Sequence, residues 1–252
     1  MDRSSHRSNP VPSWLMLSIR STVVPLVLAL LVGVPPSGAA CQSRLTSIPL
    51  SSPDSGALSA DLYGTGPEGV ILIAHGGYSS RESWNSTARL LADSGFQVLV
   101  FETRAAIDLR AGSETACLYE APCMARDVRA AIRHFRASGI ERLTLMGGSA
   151  GGGAAAVAAS DEDGGVDRVI LLAPMAIEAP QRIQGRKLVV VGRLDRGSGD
   201  RLRLPGILDQ YEKAPGPKDL LILEQSAHGQ RLLESPAGPA ILQAILRFLR
   251  AP

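Results

Sequence analysis

The chain has 252 residues, 45% hydrophobic and 20% charged, which suits one globular domain with a large buried core and falls short of two full-sized ones. Twenty-six Lys and Arg stand against 24 Asp and Glu, a near balance that argues against the clustered basic charge of a nucleic-acid-binding surface. Aromatic residues make up 4%, too few for a platform that stacks bases or sugars.

Residues 1–40 read as a secretory signal peptide. Arg3, Arg7 and Arg20 give a basic start, and Thr22 to Val34 is an uncharged apolar run. Pro35 and Pro36 then break the run before the small residues Ser37-Gly38-Ala39-Ala40. The run is shorter than the roughly 20 apolar residues that cross a bilayer, so cleavage is expected in place of a permanent membrane anchor. Cleavage after Ala40 makes Cys41 the first residue, at the position where bacterial lipoproteins carry their lipid. Gly38 stands where their pattern has a larger aliphatic residue, so a lipid on Cys41 and a free exported form both stand open. The expected location is the periplasm, the cell envelope or the medium. Without the leader, residues 41–252 carry no net charge.

Residues 41–252 read as a single α/β domain. Leu45 to Tyr63 holds several turn residues and predicts an antiparallel edge hairpin. Six apolar runs follow: Val70–Ala74, Gln97–Phe101, Arg142–Met146, Arg168–Leu172, Lys187–Val191 and Asp219–Leu223. They are continuous rather than alternating, as in strands covered on both faces. Val128, Ala131, Ile132 and Phe135 repeat at helical spacing, as do Ile241, Ala244, Ile245 and Phe248. Strands alternating with helices predict a mostly parallel, doubly wound sheet with helices on both faces. Such sheets place ligands at the carboxyl ends of their strands. Cys117 and Cys123 enclose a short loop, and oxidising conditions after export make them a disulfide pair. A metal is not expected there, since no further Cys or His lies at ligand spacing.

The chemistry-bearing residues fall at those strand ends. After the third run comes Gly147-Gly148-Ser149-Ala150-Gly151, a G-x-S-x-G turn between strand and helix. Small neighbours let the turn close sharply and lift the Ser149 hydroxyl clear of the sheet. The Ala150 N–H is then aimed at a developing oxyanion. A glycine-rich phosphate cradle is the alternative. It would follow the first strand of its unit or carry a Lys-Ser or Lys-Thr pair, and this motif does neither. After the first run comes His75-Gly76-Gly77-Tyr78, whose backbone supplies a second oxyanion donor, Gly77 first and Tyr78 as the alternate. His75 is expected to hydrogen-bond locally and shape that loop, and His134 to lie solvated off the apolar stripe of its helix.

A nucleophilic serine needs a base, and the base needs an orienting carboxylate. His228 follows the last run and Asp195 the fifth, giving the order Ser149, Asp195, His228. Asp200 and then Glu178 are the alternative acids. With these residues in view, the chain from about Leu45 onward resembles the α/β-hydrolase superfamily, and within it the compact bacterial serine esterases and dienelactone-hydrolase-like proteins. The resemblance is carried by His75-Gly76-Gly77, Gly147 to Gly151, Gly192-Arg193-Leu194-Asp195 and Ala227-His228-Gly229. Dienelactone hydrolases proper carry cysteine where this chain has Ser149.

The reaction expected is cleavage of small or medium esters through an acyl-enzyme, with no metal or organic cofactor. A peptidase or acyltransferase with the same triad is a second reading, and a non-catalytic binding protein on this fold is a third. Only Ala173 to Arg186 separate the fourth and fifth runs, too few residues for a cap domain, so the site is expected to be open.

Overall fold

A computed structural model describes residues 45–52, 56–75, 79–112, 117, 120–162 and 164–252. The leader read at 1–40, Cys41, and the loop residues Gly77 and Tyr78 lie outside the described residues.

Eight strands form one sheet. They are β1 (Leu45–Ser52), β2 (Gly56–Tyr63), β3 (Glu68–Ala74), β4 (Gln97–Glu102), β5 (Arg142–Gly148), β6 (Arg168–Leu172), β7 (Arg186–Gly192) and β8 (Lys218–Leu223). Their order across the sheet is β1-β2-β4-β3-β5-β6-β7-β8. β1 and β2 form the antiparallel hairpin at one edge, and β4 to β8 with β3 run parallel. Val70 to Ala74 and Val98 to Phe101 are fully buried, which accounts for their unbroken apolar runs. β8 is different: it forms the opposite edge, and Leu220 to Leu223 stay half-buried. A run that reads as two-sided burial thus also fits an edge strand covered chiefly on one face.

Seven helices accompany these strands among the described residues, the last two of them following β8. They are α1 (Asn85–Asp93), α2 (Arg104–Arg110), α3 (Ala121–Ala137), α4 (Ser149–Ala158), α5 (Leu204–Lys213), α6 (Arg231–Glu234) and α7 (Gly238–Arg250). The repeats expected for α3 and α7 are the buried stripes of those helices: Val128, Ala131, Ile132 and Phe135 on one, Ile241, Ile245 and Phe248 on the other. α1 links β3 to a neighbour on one side, whereas α3 and α4 lead to strands on the other side. Right-handed crossovers therefore put α1 on one face of the sheet and α3 with α4 on the opposite face, where α3 packs on α4.

Between β6 and β7 the chain makes only a short 3₁₀ turn at Pro180–Arg182, and no cap domain is built there. Cys117 and Cys123 are joined by a disulfide, with their Cα atoms 5.4 Å apart. No helix among the described residues is long and apolar enough to cross a membrane.

Candidate active site

Ser149 is the first residue of α4 and has φ +50, a left-handed backbone that non-glycine residues rarely adopt. The turn that holds it depends on missing side chains. A Cβ at position 147 would stand 2.8 Å from the Gly152 nitrogen, and one at 148 would stand 2.6 Å from the Gln230 nitrogen. Gly147 lets strand and helix meet. Gly148 lets a second segment, residues 228–230, lie against the turn.

That second segment carries His228. Its Nε2 lies 2.8 Å from Ser149 Oγ and its Nδ1 lies 2.7 Å from Asp195 Oδ2. With the ring proton on Nδ1, facing the carboxylate, Nε2 is left to accept the Ser149 hydroxyl. Asp195 follows β7, and its side chain is 1% exposed. Its other oxygen, Oδ1, faces Arg203 Nε at 3.6 Å. The Arg203 N–H donates to the Asp195 carbonyl at 2.9 Å, closing the loop between them. The three sequence-predicted residues Ser149, Asp195 and His228, drawn from the ends of β5, β7 and β8, are thus brought into one hydrogen-bonded line.

The alternative acids lie elsewhere. Asp200 is exposed and pairs with Arg196 at 3.2 Å, and Glu178 is exposed on the loop after β6. His134 sits half-buried on α3 and does not join the line. His75 Nδ1 is buried and has no hydrogen-bond partner among the described residues. Burial, and secondarily the charge of the neighbouring His228, push the His75 imidazole down to about 4, so it is neutral near pH 7. Ala150 is buried in the first turn of α4, where backbone N–H groups have no partner within the helix.

Sequence reasoning missed the group that ties the histidine segment down. The Ser79 hydroxyl donates to Gln230 Oε1 at 2.7 Å, and Gln230 Nε2 donates to the Ser83 carbonyl at 2.8 Å. Trp84 Nε1 donates in turn to Ser79 Oγ at 3.3 Å. Gln230 therefore joins the segment bearing His228 to the stretch just after the His75 loop. The only local signal was a glutamine two residues past the histidine, and its partners lie about 150 residues away in the chain.

Comparison with known proteins agrees with this architecture. A family model described as "alpha/beta hydrolase fold" matches residues 69–204. A dienelactone hydrolase from Anabaena variabilis is 26% identical, with a TM-score of 0.66 over 82% of this chain and 96% of that one. An esterase from Pyrococcus furiosus is 16% identical, with a TM-score of 0.65 over 82% of this chain and 90% of that one. Dipeptidyl peptidase 4 from Porphyromonas gingivalis is 16% identical, with a TM-score of 0.66 over 82% of this chain and 35% of that one. No curated protein matches the sequence.

Proposed function

The chain belongs to the α/β-hydrolase fold family, and from that premise we propose that it is a serine hydrolase cleaving carboxylic esters through an acyl-enzyme. The observation that carries this reading is the hydrogen-bonded line Ser149–His228–Asp195 on a strained strand-to-helix turn. His228 takes the hydroxyl proton as Ser149 Oγ attacks the ester carbonyl. Asp195 holds the imidazole in the required tautomer and stabilises it once charged. The Ala150 N–H and that of Gly77, with Tyr78 as the alternate, stabilise the tetrahedral oxyanion. His228 then protonates the departing alkoxide and later activates the water that releases the acid. No step calls for a metal or an organic cofactor.

The open site suits small or medium esters. A leader ending at Ala40 and the Cys117–Cys123 disulfide together support work outside the cytoplasm, free or held to the envelope by a lipid on Cys41.

The test is a fluorophosphonate probe on the purified protein, with a panel of p-nitrophenyl esters and matching anilides. The expected result is one adduct on Ser149, ester turnover, and loss of about four to six orders of magnitude in kcat for Ser149→Ala. Anilide turnover exceeding ester turnover would favour a peptidase. A folded protein that takes no adduct and turns over nothing would sink the reading.

A further inference from the structure

A cleft of about 690 Å³ lies on the α3–α4 face, within the roughly 300–1,000 Å³ range of small-molecule sites. Its walls include Ala121 and Pro122 at the start of α3, Val157 on α4, and Met175 and Ile177 on the loop after β6. Two observations place its walls on α4, the helix that Ser149 begins. The Met175 N–H donates to the Ser149 carbonyl at 2.9 Å. One turn along α4, residue 153 has no side chain: a Cβ there would stand 3.2 Å from the Ala121 Cβ and 3.7 Å from the Met175 Cβ. Both walls therefore reach the helix about 5–6 Å from Ser149 along its axis. The Cys117–Cys123 disulfide encloses Glu120 to Pro122 and anchors one of these walls.

The position relative to His228 decides which part of an ester the cleft can take. Gln230 bonds the histidine segment to Ser79 and Ser83, just ahead of α1 and on the α1 face of the sheet. The cleft lies on the α3–α4 face. The base must reach the leaving oxygen to protonate it, so the alcohol faces His228 and the acyl arm points away from it. Charge narrows the arm further. Arg129 is held by Asp161 at 2.6 Å, and Glu120 and Glu178 on the rim stand against a single guanidinium, Arg182. The balance disfavours an anion.

We propose that this cleft is the acyl site, and that the substrate's acyl group is an uncharged apolar chain of medium length. The assignment rests on the serine hydrolase reading above.

The test is kcat/KM for p-nitrophenyl acetate, butyrate, hexanoate, octanoate and hemisuccinate, with the wild type, Ala121→Trp and Ala176→Trp. Ala176 lines the cleft from an exposed position, so a bulky side chain there leaves the core alone. Active sites are counted with a short fluorophosphonate. Each methylene that becomes buried multiplies kcat/KM by about fourfold. The wild type is expected to favour hexanoate over acetate by about tenfold or more, and butyrate over hemisuccinate. Each tryptophan is expected to lower the hexanoate-to-acetate ratio by about tenfold. Ratios within about twofold of wild type in both variants, at full active-site titre, would remove the acyl assignment and leave the hydrolase standing. A wild type that neither titrates nor turns over any ester removes both.

Discussion

Ser149 can hold its left-handed backbone because its surroundings over-determine it: Gly147 and Gly148 just before it, a helix beginning at its own position, and the His228 segment lying against Gly148. The glycine at 148 is thus required by a partner distant in sequence. Gly148→Ala is expected to push residues 229–230 outward and stretch the contact from His228 Nε2 to Ser149 Oγ. The expected loss in kcat is about 10–100-fold with the protein still folded, since misplacements near 1 Å cost on that order. Steady-state kinetics beside circular dichroism would check it, and an unchanged kcat would contradict the role given to the glycine.

His75 supports a second argument at this scale. Its folded imidazole titrates near 4, against an ordinary 6.5. Between those values the unfolded chain binds the proton and the folded chain does not, so the stability contribution is present above about pH 6.5 and is lost as pH falls toward 4. The size is on the order of 3 kcal/mol. Urea denaturation at pH 7, 5.5 and 4.5 is expected to show a smaller drop for His75→Asn than for the wild type. Parallel pH profiles would show that burial of this ring does not set the slope.

Among the elements, the strands were legible, β1 and β2 as an edge hairpin and β8 as an apolar run although it is only half-buried. β3 to β7 appear in the sequence as unbroken apolar runs because helices cover each side. α3 and α7 were legible from their stripes. α1, α2 and α5 were not, being short and partly polar, with ends set by neighbouring strands. Ser149, Asp195 and His228 could be picked out because each follows its own strand. Gln230, Ser79 and Arg203 could not, because their roles arise only when distant segments meet.

The Cys117–Cys123 loop is an element whose energetics can be measured directly. Closing a loop with a sequence separation of 6 removes unfolded-state entropy worth about 2 kcal/mol. The double variant Cys117→Ser/Cys123→Ser is expected to lower Tm by roughly 4–8 °C. Calorimetry with and without a reductant checks this: the wild type should move toward the variant when reduced, and the variant should not respond. A wild type indifferent to reductant would leave the bridge without a structural role.

For the whole molecule, the sheet places the proposed site at the carboxyl ends of its parallel strands, and the question becomes where the domain works. A basic start, the apolar run Thr22 to Val34 and the small residues before Cys41 are what support the proposed leader. Its removal would leave a chain with no net charge, stapled by a disulfide that an oxidising compartment would preserve. Expression of the full chain in a bacterium is therefore expected to yield a protein beginning at Cys41. Intact mass and N-terminal analysis then separate two forms: a plain amino terminus in the soluble fraction, or an acylated Cys41 in the membrane fraction. In the second case Cys41→Ser should shift the protein out of the membrane fraction, because a single lipid-bearing residue would be the only tether. A protein found in the cytoplasm with residues 1–40 intact and Cys117 and Cys123 reduced would contradict export. It would also mean that the fold holds without its bridge, so the two measurements bear on one another.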